Sequence, residues 1–238
     1  MIHLKEYNTW INEKINFSKF PNPLPDDTKG FLKAGLPQHD KSPFDDDIVN
    51  TEDVSIPVKD LIPSQSAVYL GKALELAIKG IEGGDLGAVI SNDGYIMDGH
   101  HRWACTMLNN PEKEVGGVMV NLPFNELLVV LRAVGDSMKN PRGTKPSGGD
   151  VNIFHATMED VKDCIFNGKH MDPSLYNRDK AIAWYESKGE SNIQDRLLKM
   201  QEKNPGELAL PREEMPKVKA AQVPLVKRLL NNGSIDII

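Results

Sequence analysis

Two periods of apolar residues alternate along the middle of the chain. "VSIPVKDLIP" (54–63) alternates in steps of two, as a strand does, and Pro57, lacking a donor N–H, assigns it to a sheet edge. In "SQSAVYLGKALELAIKGIEGG" (64–84), Leu70, Ala73, Leu74, Ala77 and Ile81 recur at helical spacing. Ser64 or Ser66 would cap that helix and Gly83-Gly84 would end it. "LGAVIS" (86–91) is a short apolar strand, "NDG" (92–94) a tight turn, and "YIMD" (95–98) the returning strand of a hairpin. A helix over 100–110, the strand "EVGGVMVNL" (114–122) and the helix "NELLVVLRAVGDSM" (125–138) follow. The order strand, helix, hairpin, helix, strand, helix predicts a compact α+β unit with a small mixed sheet and packed helices.

The flanks read differently. Residues 1–51 form an N-terminal region, with a short helix over 4–16 carried by Leu4, Tyr7, Ile11 and Ile15. Prolines 21, 23 and 25 then open an extended arm over 21–53. The core unit occupies 52–138. Residues 139–152 make a linker or lid loop, since "KNPRGTKPSGGD" has linker composition and carries Arg142 and Lys145. Residues 153–238 form a helical C-terminal region, with helices over 157–167, 178–188 and 191–203 and a last one from Pro224 to Gly233. Pattern alone leaves open whether this region is a separate subdomain or a cap on the core.

Charge narrows the partners. The net charge is −6 and the pI near 5.6. Residues 151–238 hold 13 Lys/Arg and 13 Asp/Glu, so the acidic excess lies in 1–150. A general polyanion binder would carry a basic face, so charge does not support DNA as a partner. Cys105 and Cys164 are too few and too far apart for a disulfide framework or a zinc pattern. No apolar run approaches the roughly 18–20 residues of a membrane span, and the start of the chain is polar. The expectation is a soluble cytoplasmic protein.

One stretch asks for chemistry. "YIMDGHHRWACTML" (95–108) runs from a strand through Asp98 and Gly99 into a helix that opens with His100, His101 and Arg102. A helix start exposes unpaired N–H groups and partial positive charge. Gly99 permits a sharp turn and close approach, and Arg102 adds a fork suited to phosphate oxygens. Asp98 would repel a phosphate unless it holds Mg²⁺, orients a histidine or takes a proton from a hydroxyl. The two histidines lie about 100° apart around the helix, so one ligand cannot face both. The plain alternative is a helix capped by Asp98, with Arg102 paired to an acid.

The stretch resembles the signature of the ParB/sulfiredoxin superfamily, in which a strand ends in a Gly-x-x-Arg turn and opens a helix. The resemblance covers roughly 52–138, and its closest form is the Asp-Gly-x-His-Arg of the free serine kinases of that fold. The overall layout also looks like the ParB-like proteins of large bacteriophages, which would put the protein in a host cytoplasm. The resemblance implies a nucleotide site for ATP, ADP or another nucleoside triphosphate. It implies that Gly99, His100, His101 and Arg102 contact phosphates and that Asp98 sits beside Mg²⁺. The expected function is phosphotransfer to a small hydroxyl-bearing acceptor, with Asp98, His100, His101 and Asp60 as candidate catalytic residues. The alternatives are a ParB-like nuclease or nucleotide-gated DNA-associated protein, and a non-enzymatic module with a relic site. The sulfiredoxin cysteine position holds His100. The kinase glutamate position falls at Gln65, which cannot be a general base and would help hold the acceptor, so Asp60 or Asp98 would serve as base.

Other residues read as structural. Cys105 packs as a small hydrophobe. Trp103 and Trp184 sit in helical patterns as packing residues, and His155 stands before a helix beside Thr157 as its cap.

Overall fold

The computed structural model describes residues 51–125, 127–128, 131–132, 140, 142–143, 149–206 and 209–217. The expected helices over 4–16 and from Pro224, the arm over 21–50 and most of the helix over 125–138 lie outside them, as does Lys145. Five strands form one mixed sheet: β1 (Thr51–Pro57), β2 (Ile62–Pro63), β3 (Gly84–Ser91), β4 (Tyr95–Ile96) and β5 (Glu114–Val120), in the order β1-β5-β3-β4-β2. β5 runs parallel to β3 and antiparallel to β1, while β4 runs antiparallel to β3 and parallel to β2. Pro57 ends an edge strand, where its missing N–H costs no ladder bond. Thr51, Glu52 and Asp53, expected in the arm, are the first residues of β1, because their backbones pair with Val120, Met119 and Val118. The 92–94 turn forms as expected, with Gly94 at φ 87° and its N–H donating to Ser91 O.

Helices α1 (Leu70–Ile78) and α2 (His100–Asn109) pack together with the sheet in the core. Helix α1 is shorter than its sequence pattern at both ends. Neither Ser64 nor Ser66 caps it, and residues 64–69 are instead a loop before the N-cap Tyr69. The backbone groups at the end of that loop are taken from far along the chain. Leu70 N–H donates to Val151 O, and Ile153 N–H donates to Val68 O.

The C-terminal region completes the same core. Helices α3 (Met158–Asn167), α4 (Arg178–Lys188) and α5 (Glu190–Glu202) contribute Val161, Ile165, Trp184, Ile193 and Met200 to the apolar cluster that holds Leu74 and Trp103. Thr157 caps α3 through a reciprocal box with Asp160. An amphipathic helix has one wet face, yet α2 is buried from Trp103 through Asn109, because α5 covers its outer side and α4 closes over its last residue. Arg196 and Lys188 also donate to the carbonyls of Leu108 and Asn109, placing two cations at the negative end of α2. No described helix is long and apolar enough to cross a membrane.

Candidate functional site

The strand-to-helix turn forms where expected. Met97 N–H donates to Val89 O and closes the hairpin, and Gly99 then adopts φ 83°, ψ 11°. An L side chain is strained in that left-handed region, so glycine is what allows the chain to bend there into α2. Asp98 is exposed, and its Oδ1 accepts the Gly99 N–H over 2.7 Å. Asp98 therefore does not cap α2, as the plain alternative required. Among the described residues no N-cap side chain caps the helix, so its first turn begins without that acceptor.

Both histidines hold the 64–69 loop. His100 Nε2 accepts the Ser64 N–H at 3.1 Å, and His101 Nε2 accepts the Tyr69 N–H at 3.2 Å. The loop wraps the end of the helix, so two side chains about 100° apart fasten its two ends. An acceptor Nε2 leaves the proton on Nδ1 and favours the neutral ring. Burial, the His101 charge and the Arg212 charge push His100 down to about 3. Burial, Lys72 and Arg212 do the same to His101, also to about 3. Each ring thus acts as a fixed, uncharged clamp through Nε2, and only Nδ1–H is left for a ligand.

Gln65 and Asp60 separate. In the β2–β4 register Ile62 lies beside Tyr95 and Pro63 beside Ile96. Continuing that parallel register puts Gln65 level with Asp98. Asp60 falls at the opposite end, near Gly94, whose O accepts the Ile62 N–H. Gln65 thus lies toward the 98–102 turn, while Asp60 lies toward Gly94.

The surroundings contain residues that pattern did not single out. A segment over 209–217 crosses the 64–69 loop. Ser66 N–H donates to Leu210 O and Leu210 N–H to Ser64 O, pairing Gln65 with Leu210 like neighbouring strands. Met215 is buried, with its Sδ 3.9 Å from Ser64 Oγ. Between these anchors a 3-10 turn, Arg212–Glu214, carries Arg212 to 5.4 Å from the centroid of the Tyr69 ring. That ring is 5.7 Å from the ring of His101. Among the described residues, two buried polar atoms beneath the segment, Gln65 Oε1 and His100 Nδ1, have no hydrogen-bond partner, and Tyr69 Oη has none beyond the Arg212 guanidinium. Nothing in the sequence marks Arg212, which sits in "PREEMP" beside two glutamates.

Among the described residues no group of three or more His, Cys, Asp or Glu could hold a metal ion. The residues present fit Mg²⁺ only as it is usually held with nucleotides, by one or two carboxylates together with phosphate oxygens. Asp98 is the carboxylate at the turn.

The described architecture is an α+β domain with a five-stranded mixed sheet, an uncapped helix start at its core and a helical cap. Comparison with protein-family models, with curated proteins and with solved structures finds no match to this chain.

Proposed function

We propose that this protein is a ParB/sulfiredoxin-like nucleotide-binding protein that transfers a phosphoryl group to a hydroxyl acceptor. The observation that carries the reading is the uncapped start of α2 behind a left-handed Gly99, beside Arg102 and Lys72. First-turn amides, a helix dipole and nearby cations together suit phosphate oxygens. Gly99 admits the close approach, and His100 and His101 fix the 64–69 loop beside it. Asp98 would hold Mg²⁺ against the phosphates, where the ion would neutralise charge on the transferred group.

In the transfer step the acceptor oxygen bonds to the terminal phosphorus. The bond from that phosphorus to the bridging oxygen breaks, the nucleoside diphosphate leaves, and the hydroxyl proton passes to the Asp98 carboxylate. Gln65, level with Asp98, would orient the acceptor. Its being an amide supports a second reading, in which nucleotide binds without transfer. The bonds that His101 Nε2 makes within the chain do not favour a nuclease reading that needs it as a base.

Calorimetric titration with ATP, ADP and CTP, with and without Mg²⁺, tests this. Binding that weakens in Arg102→Ala, with diphosphate release to a hydroxyl acceptor lost in Asp98→Asn, supports transfer. Binding without turnover supports the second reading. A chain that binds no nucleotide removes both.

A further inference from the structure

The 209–217 segment raises a question of electrostatics. Cations are favourable near the C-terminal end of a helix and unfavourable near the N-terminal end. Arg212 is nonetheless held at the N-terminal end of α2. Its charge acts on both His100 and His101, the first two residues of the helix. Its described contacts are both to Tyr69, the ring face and the hydroxyl, and the Asp150 and Glu213 carboxylates act on the same tyrosine from farther off. Lys72 adds a second positive charge close to His101.

The hold on Arg212 is rigid. On one side Leu210 is paired through both backbone groups to Ser64 and Ser66. On the other, Met215 is 2% exposed. The Arg212 carbonyl lies so close to Gly143 that a Cβ there would come within 1.9 Å of it. A flexible cation on a loose tail would drift away from the positive helix end, but this one is fastened there.

The polar groups beneath it match an anion. His100 is 2% exposed and its Nε2 accepts the Ser64 N–H; in the tautomer that this bond selects, the unpartnered Nδ1 carries the proton and donates. Tyr69 Oη can donate as well. The Gln65 amide, 8% exposed with Oε1 unpartnered, donates through its nitrogen once turned over. Donors, a helix start and a fastened guanidinium need several acceptor oxygens bearing negative charge.

We infer that Arg212 is a ligand-binding residue, supplied by the 209–217 segment to hold the phosphate chain of a polyphosphate ligand at the start of α2. This rests on the reading of the 98–102 turn as a phosphate site and extends that site to a residue more than 100 positions away in the chain. The segment is then a wall of the site as well as a cover for the core.

The test uses the full chain with two probes, ATP and inorganic triphosphate, and the variants Arg212→Gln and Arg212→Lys. Losing a hydrogen-bonded charge should weaken binding of both probes by about ten- to a hundredfold in Arg212→Gln. Arg212→Lys should recover part of the loss, and binding should depend less steeply on salt in the neutral variant. The unliganded melting temperature of Arg212→Gln should stay at or above that of the parent. A second measurement needs no variant: triphosphate should slow modification of Arg212 by phenylglyoxal, followed by mass spectrometry. If the parent binds triphosphate while Arg212→Gln binds equally well and Arg212 is not protected, this inference is wrong and the turn remains a phosphate site. If the parent binds neither probe, both readings fall together.

Discussion

Trp184 donates its indole N–H to Asn109 Oδ1 over 2.8 Å, and Asn109 Nδ2 donates in turn to the carbonyls of Ala77 and Ile81 at 3.1 Å each. One buried amide thus ties α4 to α1 from the last residue of α2. Asn109→Ala would strand an indole N–H and two carbonyls, each costing about 1–3 kcal/mol if water cannot reach it. The expected loss is about 3 kcal/mol by urea unfolding. A Trp184→Phe partner variant should cost less when Asn109 is already absent. Strict additivity in that double-mutant cycle would show the bond to be energetically idle.

The two histidine clamps make stability sensitive to acid. Both rings are neutral in the folded protein down to about pH 3, whereas in the unfolded chain they charge below the ordinary 6.5. The stabilisation is therefore complete above 6.5 and is lost as pH falls toward 3. Two extra protons on the unfolded state set an upper limit of about 2.7 kcal/mol per pH unit. Urea midpoints should fall steadily from pH 7 to 4.5, before most carboxylates titrate. A flat profile across that window would mean the rings are not held as neutral acceptors.

Gly71 lies in α1 against the backbone of residue 170. A Cβ at Gly71 would come within 1.9 Å of His170 O, and His170 already holds a positive φ of 64°. Backbone on both sides leaves little room to yield, so Gly71→Ala should lower stability despite alanine's better helix propensity. The expected cost is about 1–3 kcal/mol, the usual range for overpacking. A melting temperature equal to or above that of the parent would contradict the contact.

Burial pushes the Cys105 thiol up to about 11 and the Cys164 thiol up to about 12. The thiolate is the reactive form, so neither should react at neutral pH in the folded protein. A chromogenic disulfide reagent should titrate both thiols in denaturant and react far more slowly without it. Rapid reaction of one native thiol would reopen the question of redox chemistry at that position.

Much of the backbone could be read from pattern. α4 spans residues 178–188 as its spacing predicts, Pro57 marks an edge strand, and Gly94 and Gly99 stand where the chain needs positive φ. These features depend on neighbours in the sequence. The misreading of 64–69 as the start of a helix has a different source. Serine is a good cap by local rules, but the loop's amides are taken by Val151, His100 and His101, 30 or more residues away. The place of Asp60 relative to the turn was likewise not legible locally. Closeness to Gln65 in the chain carries no information about register, and the parallel β2–β4 pairing sends the two residues to opposite ends.

The turn from β4 into α2 was therefore determined by the sequence itself, because a left-handed glycine and a helix start are written in adjacent residues. What encloses that turn was decided only by tertiary structure. The histidines became loop clamps, the tail helices covered α2, and Arg212 arrived on a segment paired with Leu210. Each depends on groups meeting across long stretches of chain, where hydrogen-bond supply and charge are settled by packing rather than by local propensity.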